Sequence, residues 1–250
     1  MQNDREMEQA VAQIRRAAEG LSKLTFPSLL HPQPAPDGAP TCDLVNFAVR
    51  VYCYSLLSHF REMLRSYLFL GENGHIPAAF VVCRCLFEMG AHAYYVHKHV
   101  TQHMDGAELE AAWKFLFEIN MGSRYMQEEY GEVKDWPPFS APREIAKVIR
   151  CFDEWTGRNG QAVTEYSFLS EFAHPNMAAF QHYYEIKRGP SGSIRADFSS
   201  SFSAAPIPYI SFSLTSALRF TLKLLERTSE PDVSPSVRTV LAEFENAPPT

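Results

Sequence analysis

Gly71-Glu-Asn-Gly74, set between Leu64-Arg-Ser-Tyr-Leu-Phe-Leu70 and Ile76-Pro-Ala-Ala-Phe-Val-Val82, decides the fold. Two glycines three apart punctuate two long apolar-periodic runs. The first runs from Asp43, a helix-capping residue type, to about Leu70, and the second from about Ile76 to His103. Two long helices joined by so short a turn must lie antiparallel, as the seed of a helical bundle.

Outward from this hairpin, residues 5–24 read as an amphipathic helix with Ala10, Val11, Ile14, Ala17, Ala18 and Leu21 on one face. The stretch 31–42, with prolines at 32, 34, 36 and 40, reads as a linker. The expected organisation is an N-terminal helical arm over 1–30, the Pro-rich linker over 31–42, and a single bundle domain over 43–250. Residues 107–130 read as the next helix, beginning near Asp105-Gly106. Arg143 to Trp155 reads as a shorter one, ended by Thr156-Gly-Arg-Asn-Gly160. A helix is expected over 161–180, with Pro175 kinking or ending it. Pro208 to Arg227 and Ser234 to Asn246 complete the set. The fold class is all-α, a bundle of six to eight helices. A small β-hairpin insertion near 183–198 stands as an alternative to a mobile loop.

Net charge is −6, which disfavours a broad electrostatic grip on nucleic acid or an anionic membrane. Residues 101–135 hold eight acids against three bases and read as a solvated face. The five cysteines are odd in number and sit mostly in apolar helical text, which points to reduced thiols, not a disulfide framework. The first twenty residues are charged and lack an apolar signal core. The most apolar run, 76–96, is interrupted by Arg84, Glu88 and His92, whereas a span needs about 20 predominantly apolar residues. These observations lead to an expectation of a cytoplasmic chain with no membrane partner.

Two motifs place ionisable groups inside core-like text. Arg84-Cys-Leu-Phe-Glu88 puts a guanidinium and a carboxylate on one helix face. This is either a buried ion pair that fixes helix register or an arginine oriented by glutamate to hold an anion. Ser170-Glu-Phe-Ala-His174-Pro-Asn176 sets Ser170 and His174 one turn apart. His174 is a candidate proton carrier near neutral pH, or a histidine bonded to a carbonyl at a kink. Arg84, Glu88, Ser170 and His174 are the candidate catalytic set, with Asn176, Tyr166 and His92 as candidate substrate contacts. No G-x-S-x-G elbow accompanies Ser170. Glu171-x-x-His174 has the spacing of half a di-iron motif, but no second half is present, so no metal and no cofactor are assigned. His97, His99 and His103 read as exposed near a helix end.

The runs Gly74 to Glu88 and Tyr166-Ser-Phe-Leu-Ser170-Glu-Phe-Ala-His174-Pro175 resemble the bacterial helical family catalogued as domain of unknown function 5677, over roughly residues 44–185. That family pairs an Arg-x-x-x-Glu helix with a later Ser-x-x-x-His-Pro helix, and its activity is not established. Its arrangement loosely resembles the HEPN superfamily, whose members include metal-independent ribonucleases and toxins of stress and phage-defence systems with an Arg-x(4–6)-His motif. Here His92 follows Arg84 by eight positions, outside that spacing.

Two readings follow. In the first, the chain is a non-catalytic binding or assembly module, forming a homo-oligomer through its helices. In the second, it is a metal-independent ribonuclease or nucleotide-handling enzyme. Arg84 then steadies phosphate charge, His174 moves the proton and Glu88 holds Arg84; only here is RNA or a nucleotide a partner. Both require Arg84 and Glu88 to approach Ser170 and His174 in one polar pocket.

Overall fold

The turn at 71–74 closes as the glycines demand. In the computed structural model, which describes residues 2–32, 35–121, 145–173, 185–188, 194–197, 207–228 and 232–245, helix α2 spans Cys42–Glu72 and α3 spans Ile76–Asp105. His75 N–H donates to the Leu70 carbonyl (2.8 Å) and Gly74 N–H to that of Gly71 (3.2 Å). Gly74 sits at φ +74°, the left-handed position that this paired-bond helix ending requires.

The same pair of bonds ends α3: Glu108 N–H to the His103 carbonyl (2.8 Å) and Ala107 N–H to that of Met104 (3.1 Å). Here the left-handed residue is Ala107, at φ +57°, with the glycine one position too early. A left-handed alanine costs about 1 kcal/mol. Ala107→Gly is therefore expected to raise unfolding free energy by roughly 0.5–1 kcal/mol in urea titration, with an unchanged m-value.

The other helices are α1 (Gln2–Ser22), α4 (Leu109–Met121), α5 (Ile145–Thr156), α6 (Gln161–Glu171), α7 (Ile207–Arg227) and α8 (Ser234–Glu245). Among the described residues this makes an all-α bundle of eight helices. Two short strands, β1 (Glu185–Arg188) and β2 (Ile194–Asp197), pair antiparallel with Glu185 opposite Asp197. They fall within 183–198, where a hairpin is the alternative to a loop.

Several expected boundaries move. The cap of α2 is Thr41, whose hydroxyl accepts from Leu44 N–H at 3.2 Å; Asp43 lies inside the first turn, where its charge suits the helix dipole. The helix expected from 107 starts at Leu109, because α3 runs on through Asp105. Its stretch beyond Met121 lies outside the described residues. The helix expected over 161–180 stops at Glu171. Pro175 has no N–H to give the residue-171 carbonyl and disfavours helical geometry at 174, so the helix ends before it.

α3 is the central element, packed against α2, α4, α5, α6 and α7. Its partners on several sides explain why Phe80, Cys83, Leu86, Phe87, Ala91 and Val96 are all buried on a helix with little polar face. By length and composition α3 could cross a membrane, but half of its apolar window is inside the bundle. Its closest neighbour is α7. A Cβ added to Gly90 would stand 2.8 Å from the Ser213 carbonyl oxygen and 3.0 Å from its Cα.

α1 lies against α8 and α2 and buries Ile14, Ala17, Ala18 and Leu21 in the same core, the face that the periodicity marks. The connection after α1 is pinned along α2, with Phe26 stacked on Tyr54 and His31 edge-on to Phe47, both at 4.9 Å between ring centres.

Candidate functional site

The third and fourth turns of α3 carry Arg84 and Glu88, and α6 brings Tyr166 to them. Arg84 Nε donates to Glu88 Oε1 and its Nη2 to the Tyr166 hydroxyl, both at 2.9 Å. The guanidinium carbon lies 5.2 Å from the Tyr166 ring centre. Glu88 and the Tyr166 phenol thus meet on one guanidinium, a triangle bridged by Arg84. The ion pair is half-buried, not deeply buried as its text suggests, with side-chain exposures of 25% and 30%.

Electrostatics lock the protons. Burial lowers the Arg84 pKa, but the Tyr166 hydrogen bond and the Glu88 charge more than offset this, and the net shift is upward. Burial first, then the Glu88 charge, raises the Tyr166 pKa against the opposing pull of Arg84. At neutral pH the guanidinium keeps its charge and the phenol its proton. The neighbouring Cys85 thiol is likewise raised by burial and by Glu88.

Ser170 is one turn beyond Tyr166 on α6. Its hydroxyl donates back to the Tyr166 carbonyl at 2.7 Å, a common local bond for a helical serine. α6 ends at Glu171, one residue past Ser170. His174 and Asn176 lie outside the described residues. The structure thus brings together Arg84, Glu88 and Tyr166, with Ser170 adjacent along the helix.

His92 takes a different partner. Its Nδ1 lies 3.1 Å from the Tyr52 hydroxyl on α2. Burial lowers its pKa to about 4. His97, His99 and His103 are half-buried, not exposed: α7 sets Phe220 against His97, α4 sets Phe115 against His99, and His103 Nδ1 meets Glu108 at 2.8 Å. Burial, with Lys223 and Arg227 adding to it, takes His97 to about 4 as well.

The sign of the resulting pH dependence follows directly. Below about pH 6.5 the unfolded chain takes up protons that the folded imidazoles refuse until about pH 4. Stability is therefore full above 6.5 and falls as pH drops toward 4. His92 alone is expected to cost up to about 2 kcal/mol at pH 5 relative to pH 7. Denaturation at both pH values, with His92→Gln flattening the difference, checks this.

The periodic reading missed what places Tyr166. Asp153 on α5, 8% exposed, accepts from Gly160 N–H (2.5 Å) and Ala162 N–H (2.7 Å) and so caps α6 from a neighbouring helix. Arg158 grips Glu165 with both terminal nitrogens and lies 4.7 Å from the Phe212 ring centre on α7. Only the turn Thr156-Gly-Arg-Asn-Gly160 after an Asp-Glu pair hinted at a cap supplied from outside the helix.

Among the described residues no three His, Cys, Asp or Glu side chains converge as metal ligands. One open surface hollow is lined by α1 and α2 around Arg15, Arg65, Phe69 and Glu72, a second by α2 around Glu62, Arg65 and Phe69, and neither includes a member of the triangle. Comparison of the chain with family models, curated proteins and solved structures gives no match.

Proposed function

We propose that the chain is a non-catalytic binding or assembly module, and that Arg84, Glu88 and Tyr166 form the polar latch holding α6 on α3. The observation that carries this reading is the pair of bonds from Arg84, one to Glu88 and one to Tyr166. Each charge and the phenol already has its partner, and the neutral phenol cannot serve as a base. A guanidinium that serves a phosphate needs donors aimed outward, whereas two of this one's nitrogens point at Glu88 and Tyr166. Ser170 is turned to its own helix. The net charge of −6 adds little attraction for RNA. Self-association through the helices, in a cytoplasmic setting, fits such a module.

The competing reading, a metal-independent HEPN-like ribonuclease of a stress or phage-defence system, rests on the resemblance and on His174. One experiment separates the two. Purified protein is incubated with mixed RNA and chelator, alongside Arg84→Ala and His174→Ala, and each variant is also melted. The module reading expects no cleavage by any of them and a melting temperature several degrees lower for Arg84→Ala. Chelator-resistant cleavage by the wild type that vanishes in His174→Ala would overturn it.

A further inference from the structure

We propose that Cys151 and Lys98 are a peroxide-responsive modification site, at which oxidation cross-links α5 to α3 covalently. The five cysteines differ sharply in surroundings. Cys53 and Cys83 are fully buried, and burial raises both thiols well above their ordinary range. Cys85 is raised by burial and by Glu88. Cys42 is exposed, with the Asn46 amide 3.7 Å from its sulfur. Cys151 has an amine beside it: Lys98 Nζ lies 3.5 Å from its sulfur. Cys151 is 9% exposed while Lys98 is exposed, so the pair sits at the rim, within reach of a small oxidant.

The thiolate is the form of a cysteine that attacks peroxide, and here the Lys98 amine stands beside the sulfur. The sulfur in turn strengthens the hold of Lys98 on its proton. The Cys151 thiolate attacks one oxygen of hydrogen peroxide. An S–O bond forms, the O–O bond breaks, and the departing hydroxide takes a proton to leave as water. The neutral sulfenic acid no longer holds the Lys98 proton. Once Lys98 has lost it to solvent, the amine attacks sulfur. The S–N bond forms, the S–O bond breaks and a second water leaves. In sum, one thiol, one amine and one peroxide give a sulfenamide and two waters. Sulfenic acids condense with nitrogen in this way when one is held close. A later thiol returns the lysine and leaves a disulfide on Cys151.

The test treats the full chain with hydrogen peroxide at pH 8.5 and maps its peptides without reductant. The expected product joins the Cys151 and Lys98 peptides at a mass about 2 Da below their sum. It is left uncut after Lys98, reversed by dithiothreitol and lost in Lys98→Arg. Cys42, in the same sample, acquires oxygen without joining a lysine. Cys151 found unmodified or only as its oxygen acids, with Lys98 free, overturns the proposal. So does a cross-link that persists in Lys98→Arg.

Discussion

Asp153→Ala is expected to lower the unfolding free energy by about 2–4 kcal/mol. Its carboxylate is 8% exposed and accepts two backbone N–H groups at the start of α6, one on each oxygen. Alanine leaves those donors without their acceptor, and the cost of unmet donors exceeds the gain from making the bonds. Asp153→Asn keeps one accepting oxygen and should lose roughly half as much. The loss has an address. Gly160 and Ala162 amides should exchange faster in the variant. Unchanged exchange at Gly160 and Ala162 would mean that α6 does not depend on this cap.

Gly90→Ala is expected to cost about 2 kcal/mol, or roughly 4–8 °C in melting temperature. Alanine is the better helix former by about 1 kcal/mol, so the sign depends on the space at each site. At Gly90 the new methyl meets the Ser213 backbone at 2.8–3.0 Å, and backbone cannot rotate aside as a side chain does. α3 and α7 must then separate along the most extensive helix pairing in the bundle. Gly71 provides the opposite case within the same protein. It is helical in α2, and nothing lies within 4 Å of an added Cβ. Gly71→Ala should be neutral or stabilising by up to about 1 kcal/mol. Losses of equal size at both positions would show that propensity or the unfolded chain, not helix approach, sets the effect. Ser213→Ala should fail to rescue Gly90→Ala, because the obstruction is the carbonyl and Cα.

What was legible in the text was whatever depends on near neighbours. The 71–74 turn, the apolar stripe of α1 and the Arg84–Glu88 pair all follow from spacing within one or two turns, and the structure has each of them. Boundaries moved where two local signals competed. Thr41 and Asp43 are both capping types, and backbone geometry favoured the first. Asp105-Gly106 looks like a start, but the left-handed residue is Ala107. The partner of Arg84 was not legible. Tyr166 lies 82 positions away, and it arrives because Asp153 caps α6 and Arg158 grips Glu165, contacts that cross between helices and leave no period in the sequence. The pairing of His92 with Tyr52 was hidden for the same reason.

The central claim is that the Arg84–Glu88–Tyr166 triangle is a latch between α3 and α6. A double-mutant cycle on urea unfolding tests it most directly, with Arg84→Met, Tyr166→Phe and the pair. A bond between a guanidinium and a phenol should give a coupling of about 1–2 kcal/mol, with each single variant destabilised. Single losses that simply add, with coupling below about 0.3 kcal/mol, would contradict the latch.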